Sequence, residues 1–370
     1  MSGRTLLRTI LPAVLLLAFA PKAVLGSAVP GPQVPVNTFT AGDQRDPSMA
    51  MDAAGNFVVA WTSTGQDGDG DGVFAQRFDA DQQPLGTEFH VNTATAGPQF
   101  EPAVAMNASG RFVIVWTSEM RDGTGLGLLA QRYAVDGSRV GSEIRVYSAT
   151  FDARFEPAVS MDSAGNFVVA WSSRFLDGDG LGVFARRYDA TGTAQAPPLR
   201  VNTTTALDQS QPAVAMAPAG SFVVTWTGTP VMNSQEIYAR RYDATGTAQG
   251  PEFAVTTSGG EESAIDIDPS GNFLIAWRKG YDLLAQLYDA SGAVTISQFT
   301  VNTVNYLTGR PAVALSRRGD IARPSGRGHG PVGQLRDRVE RVRDKRHRRP
   351  GPPVRRGGRR GRFHRRRARE

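Results

Sequence analysis

Ala53-Ala-Gly-Asn-Phe-Val-Val-Ala-Trp61 returns four more times along the chain, with small changes. The copies are ASGRFVIVW at 108–116, SAGNFVVAW at 163–171, PAGSFVVTW at 218–226 and PSGNFLIAW at 269–277. The closing tryptophans, Trp61, Trp116, Trp171, Trp226 and Trp277, stand 55, 55, 55 and 51 residues apart. A fixed period near 50 residues means one supersecondary unit copied in tandem. One unit holds four short apolar runs, which in the second copy are Pro102–Met106, Phe112–Trp116, Leu128–Tyr133 and Glu143–Val146. These runs are rich in β-branched and aromatic residues, too short for helices, and separated by Gly/Asp/Asn/Ser turns. They are named strands a, b, c and d in order.

Four antiparallel strands per copy predict an all-β fold, a β-propeller of four-stranded antiparallel blades. A single such sheet cannot cover both of its faces, so the copies must stack. Strand b, nearly continuous in apolar residues, is expected to have both faces covered, with the Trp between blades. A β-solenoid is the runner-up architecture. Strand a begins six times, at Pro47, Pro102, Pro157, Pro212, Ser263 and Pro311. Strand d also occurs six times, first as Val36-Asn-Thr38, ahead of any blade, and last as Val301-Asn-Thr303. Strands b and c occur only five times. The expectation is five complete repeats plus a shared or incomplete sixth.

Residues 36–316 are therefore read as the repeat domain and 29–35 as a Pro-containing spacer. Residues 1–28 have the form of a secretory signal peptide: Arg4 and Arg8, an apolar stretch from Ile10 to Ala20, then Gly26, Ser27 and Ala28. That stretch is shorter than a membrane span. The chain is expected to be secreted, extracellular or at the cell surface, with the periplasm as a variant, and not transmembrane. It has no cysteine, so no disulfide supports the fold.

From Arg317 the repeat dissolves. Residues 317–370 carry 21 Lys+Arg against 5 Asp+Glu, so the basic overall balance belongs to this tail and the repeat region is acidic. Three readings stay open: a slipped reading frame or degenerate gene end, a disordered extension, and a phosphate-binding segment. The tail has almost no aromatic interleaving, and no nucleic-acid partner is expected.

The polar chemistry lies in the b–c loops. Asp67-Gly-Asp69-Gly-Asp71-Gly72 and Asp177-Gly-Asp179-Gly180 alternate carboxylates with glycine, as calcium loops do. Asp67, Asp69, Asp71, Asp177 and Asp179 are the candidate calcium ligands, with Asp122 at the same place in the second copy. The twelfth position from Asp67 is Phe78 rather than a bidentate Glu. The alternative is a flexible Gly/Asp hairpin.

A histidine-based centre has little to build on, because the repeat region contains only His90. Glu101 and Glu156 precede the proline of strand a at the same repeat position, and repetition argues for a structural role. Glu119, Glu236, Glu261 and Glu262 are the acids that look off-pattern. Arg77, Arg132, Arg187 and Arg241 recur on strand c, and are read as glue between strands, paired with nearby Asp.

The phrases Val-Asn-Thr, Pro-Ala-Val-Ala-Met, Gly-Asn-Phe-Val-Val-Ala-Trp, Asp-Gly-Asp-Gly and Phe-Ala-Gln-Arg-Phe-Asp together resemble a tandem repeat of secreted bacterial proteins. Those proteins are often very large and carry cadherin-like or hemolysin-type calcium-binding modules. The resemblance covers about residues 34–316 and brings no catalytic residues with it. The loop at Asp67, Asp69, Asp71 and Gly72 also looks faintly like the calcium loops of integrin-type propellers. The expectation is a secreted or cell-surface binding or scaffold propeller and not an enzyme, with an extracellular protein or polysaccharide as partner. The alternative is a carboxylate-dependent glycan hydrolase or lyase on a propeller.

Overall fold

A computed structural model describes residues 33–119, 125–149, 155–174, 176–232, 234–302 and 311–315. The candidate signal peptide, most of the spacer, Asp122 and the arginine-rich tail lie outside the described residues.

Five four-stranded antiparallel sheets follow one another in chain order. Blade one is Gln44–Met51, Phe57–Thr64, Asp71–Phe78 and Phe89–His90; blade two is Gln99–Met106, Phe112–Glu119, Leu126–Tyr133 and Arg139–Ala149. Blade three is Ala158–Met161, Phe167–Arg174, Leu181–Tyr188 and Leu199–Arg200. Blade four is Gln209–Met216, Phe222–Val231, Ser234–Tyr242 and Phe253–Ala254; blade five is Glu261–Ile267, Phe273–Lys279, Asp282–Tyr288 and Val294–Thr300. In each blade strand a pairs with b, b with c, and c with d. Strands a of consecutive blades lie side by side. This is the propeller that the repeat predicts.

Strand b is buried on both faces, which its unbroken apolar run requires: Phe167 through Trp171 are all inaccessible. One face packs forward and the other back. Phe167, Val169 and Trp171 of blade three meet Val113, Val115, Leu128 and Val146 of blade two. Val168 and Ala170 face the other way, onto Val224 and Trp226 of blade four. Trp116, Trp171, Trp226 and Trp277 thus each fill the seam with the preceding blade.

The Asp-x-x-Gly phrase makes the a–b turn. Asp52 Oδ1 accepts the N–H groups of Ala54 at 2.8 Å and Asn56 at 2.9 Å, and Gly55 takes a φ of +93° that a side chain would strain. Asp162 and Asp268 repeat this arrangement.

The sixth station is marked from both sides. Thr38 N–H donates to Glu88 at 2.7 Å, as Thr93 does to Glu143 and Thr203 to Glu252 one blade further on each time. Residues 36–38 thus hold the d position of a blade before blade one. Leu315 N–H donates to Asp266 at 2.6 Å, as Met216 does to Ser160. Val313 and Leu315 lie on the free face of blade five, against Leu274, Ala276 and Phe299. Residues 311–315 thus hold the a position of a blade after it.

Candidate functional site

Strand a carries a bulge at one place in the repeat. Asp46 and Pro47 together oppose Trp61, Glu101 and Pro102 oppose Trp116, Gln211 and Pro212 oppose Trp226, and Glu262 and Ser263 oppose Trp277. Proline has no N–H for the ladder, so within a sheet it belongs at such a bulge. The residue before it takes the left-handed region. The φ values are +53° at Asp46, +54° at Glu101, +42° at Glu156, +54° at Gln211 and +54° at Glu262. Left-handed backbone costs a non-glycine residue roughly 1–2 kcal/mol. Such strain persists only where the surroundings over-determine it, and it gathers at functional sites.

Here the surroundings are a belt of hydrogen bonds across the seams. Glu101 N–H donates to Thr62 Oγ1 at 3.1 Å, and Thr62 Oγ1 donates to Asp46 Oδ2 at 3.4 Å. Gln211 N–H donates to Glu156 Oε2 at 2.8 Å, and the Ser172 hydroxyl donates to the same oxygen at 3.2 Å. Thr227 Oγ1 donates to Gln211 Oε1 at 3.1 Å and accepts from Glu262 N–H at 3.2 Å. Thr62, Ser172 and Thr227 each follow the blade tryptophan. In blade five that place is Arg278, whose Nε binds Glu262 at 3.0 Å and whose Nη2 lies 3.2 Å from Glu261. In blade one Arg45 grips Asp71 with two nitrogens, at 3.1 and 2.6 Å, and Thr64 donates to Asp71 at 2.6 Å. That grip holds the Asp71 carboxyl below its ordinary pKa and raises that of Arg45. One end of the innermost strands thus presents Asp46, Glu101, Glu156, Gln211 and Glu262 from five successive blades. Glu156 is buried, Glu101 and Glu262 are half-buried, and Asp46 is exposed.

Glu101 and Glu156 therefore belong to this belt. Glu262 is not off-pattern, because Ser263 in place of proline hides its register. Glu261 stands beside it. Glu119, at the end of strand b, and Glu236, near the start of strand c, lie at the same end of their blades but outside the bulge. Asp46 and Gln211 carry no signal beyond the following proline.

The acidic loops are arranged differently. Asp71 is held by Arg45. The Asp67 carboxylate turns inward, its Oδ2 3.5 Å from Nε2 of His90, whose ring stacks on Phe74 at 4.8 Å. Burial pulls the pKa of His90 down, although Asp67 opposes this. Asp69 accepts from Gly97 N–H at 3.3 Å. Asp177 accepts from Asn202 at 2.8 Å and Asp179 from Leu207 N–H at 3.1 Å. Each candidate calcium ligand is thus engaged with its own partner. Among the described residues no three His, Cys, Asp or Glu side chains converge on one point.

The strand-c arginines join blades, not strands, and they bind backbone carbonyls and not aspartates. Arg77 donates to the carbonyls of Val135 at 2.6 Å and Asp136 at 2.5 Å, and Arg132 to Ala190 at 2.7 Å. Arg187 binds the carbonyls of Ala244 and Thr245, and Arg241 that of Ala290 at 2.8 Å. Every clasp reaches the c–d turn of the next blade.

No family model matches the chain, and no curated protein matches it. Solved structures do. The GH93 α-L-arabinofuranosidase of Fusarium graminearum, solved with arabinobiose, aligns with a TM-score of 0.54 at 14% identity, over 75% of this chain and 85% of that one. A mutant of a Fusarium graminearum α-L-arabinofuranosidase bound to an iminosugar inhibitor gives a TM-score of 0.52 at 13% identity, covering 72% and 82%. A protein of unknown function from Dyadobacter fermentans gives 0.52 at 12% identity, covering 72% and 85%. At these identities the likeness is one of fold. It corrects the expectation that the chain is not an enzyme. That expectation rested on the lack of a His, Ser or Cys constellation, yet glycoside hydrolases are built on this fold, and carboxylates alone suffice for their chemistry. Among the described residues no helix is long and apolar enough to cross a membrane.

Proposed function

We propose that this chain is an exported, carboxylate-dependent glycan hydrolase whose reaction centre is the belt at the head of the innermost strands. One observation carries the reading. Acidic side chains recur on consecutive blades in a strained left-handed conformation, locked by hydrogen bonds from the neighbouring blade. Glutamate has no special tolerance for that conformation, so the strain marks these positions. The fold shared with arabinofuranosidases supports the reading.

The chemistry needs two carboxyl groups. One, protonated, gives its proton to the glycosidic oxygen as the C–O bond breaks. The other, ionised, attacks the anomeric carbon or takes a proton from the water that does. Water supplies the hydroxyl that ends on the anomeric carbon; the proton it loses returns to the first carboxyl in the nucleophile route and goes to the second in the base route, where exchange with solvent then resets both groups. Glu101 and Glu156, on adjacent blades, are the pair assigned here, with Asp46 and Glu262 flanking them. Ser172 and the backbone of Gln211 fix the orientation of Glu156. Fixed orientation is what such catalysis demands.

The test is reducing-end release from a panel of arabinan, xylan, galactan and β-glucan. Wild-type protein should release ends from at least one polymer. Loss of a positioned acid or base lowers turnover about 10²–10⁴-fold, so Glu101→Gln and Glu156→Gln should each fall in that range. No release from any polymer, or full activity in both variants, would reject the assignment. Export is tested on the mature protein, whose N-terminus should lie between residues 27 and 29.

A further inference from the structure

Among the described residues the most exposed large apolar side chains stand at the same end as the belt. Met232 is 79% exposed, Tyr281 64% and Val231 61%. All three sit at b–c tips, Val231 and Met232 on blade four and Tyr281 on blade five. Strand register places these tips beyond the bulge, because Glu261 at the head of strand a pairs with Arg278 on strand b, and Lys279 then pairs with Asp282 across the tip. Among the described b and c strands those of blade four are the longest, at 10 and 9 residues against 7 and 7 in blade five. They carry Val231 and Met232 beyond the bulge as an apolar ledge.

The tips are not loose. Asn302 donates to the carbonyl of Tyr281 at 2.9 Å, which pins the backbone under the exposed ring. Gly260 N–H donates to the carbonyl of Gln235 at 2.9 Å, which ties the blade-four hairpin to the segment entering blade five. A rigid, exposed aromatic beside an apolar ledge has large contact area and little ordering cost on binding.

Charge narrows the occupant. Around blades four and five this end carries Glu236, Glu261, Glu262 and Asp282. Arg278 is paired with Glu261 and Glu262, while Lys279 donates to the neutral Ser258 hydroxyl at 3.1 Å and keeps its charge, so four carboxylates face two cations. An anionic polymer would meet a net surplus of negative charge. An uncharged sugar ring offers apolar C–H faces to Tyr281 and hydroxyls to the surrounding acids.

We propose that the b–c tips of blades four and five form a docking platform for an uncharged polysaccharide chain, with a sugar face laid on Tyr281, the Val231–Met232 ledge beside it, and the chain running on into the belt. The proposal rests on the hydrolase reading for the direction of the chain. The platform itself is read by binding alone.

The experiment is affinity electrophoresis of the full chain in gels containing arabinan, xylan, galactan or β-glucan, with polygalacturonate as the anionic comparison. At least one neutral polymer should retard the protein, and polygalacturonate should not. Tyr281→Ala should weaken retardation at least about tenfold, Met232→Ser less so, and Tyr281→Phe should keep it. Retardation lost in Tyr281→Ala, without any reducing-end release by wild type, would leave the platform standing and reject the hydrolase. Release by wild type with unchanged binding in Tyr281→Ala would reject the platform and leave the hydrolase. Equal retardation by polygalacturonate, or none by any neutral polymer, would also overturn the proposal.

Discussion

Glu156 and Gln211 occupy the same repeat position on blades three and four, and the backbone N–H of Gln211 donates to the Glu156 carboxylate at 2.8 Å. The bond crosses a seam between blades. It holds a buried acid in place and supports a strained φ of +54° at its partner. A single contact thus serves the packing of the ring and the geometry of the belt.

Glu156→Ala should destabilise the fold by about 1–3 kcal/mol, because it strips a buried acceptor from both Gln211 N–H and the Ser172 hydroxyl. Glu156→Gln keeps an acceptor oxygen and should stay within about 1 kcal/mol of wild type. Urea midpoints at pH 7 measure both. Equal losses would mean that the charge, and not the acceptor, secures the seam.

The arginine clasps predict a second stability effect. Arg187→Met removes charge-assisted bonds to two carbonyls of blade four, and should cost about 1–2 kcal/mol. Arg187→Lys should recover less than half of that, since an ammonium lacks the planar fork that spans two acceptors. Urea unfolding of the two variants beside wild type decides it. Full recovery by lysine would show that charge alone matters.

Acid should weaken the ring at its c–d turns. Hydrogen bonds from Ser138, Thr191, Thr245 and Ser291, first among several, hold Asp136, Asp189, Asp243 and Asp289 below their ordinary pKa of 3.8. A depressed folded-state value contributes stability that is present above 3.8 and lost as pH falls through the folded value. The midpoint should therefore drop below about pH 4. Replacing Thr191 and Thr245 with valine should flatten that limb. An unchanged acid limb would place the proton uptake elsewhere.

Trp171→Ala should cost about 3–5 kcal/mol, as large-to-small changes at buried aromatics do, since Trp171 fills the seam between blades two and three. Thermal unfolding measures it. A loss under about 1 kcal/mol would mean that the seam collapses around the gap.

Much of the fold was legible in the sequence because Gly-Asn-Phe-Val-Val-Ala-Trp states three things at once: a turn, a strand covered on both faces, and a bulky seam filler. The sixth station was legible as well, because Val36-Asn-Thr38 and Pro311-Ala-Val repeat phrases of strands d and a. The belt was only half legible. Glu101 and Glu156 stood out before proline, but repetition made them look structural. Glu262 was hidden by Ser263. Nothing in a local string states that glutamate will adopt positive φ, because that conformation is imposed by the bulge and the next blade. The surroundings of the acidic loops were not legible either. Asp67, Asp69 and Asp71 alternate as ligands would, but the partners that draw them apart, His90, Gly97 and Arg45, are distant in sequence. The exposure of Tyr281 and Met232 follows from hairpin length and stacking, which no single window of residues contains.

The account stands or falls on where catalysis maps. The decisive measurement is kcat on the best polymer substrate for four single variants: Glu101→Gln and Glu156→Gln in the belt, Asp81→Asn and Asp136→Asn in c–d turns at the opposite end of the blades. The belt variants should lose about 10²–10⁴-fold while remaining folded, and the outer two should stay within about threefold of wild type. Activity that survives in both belt variants, or that falls equally in all four, would contradict the claim that the strained acids at the head of the innermost strands are the reaction centre.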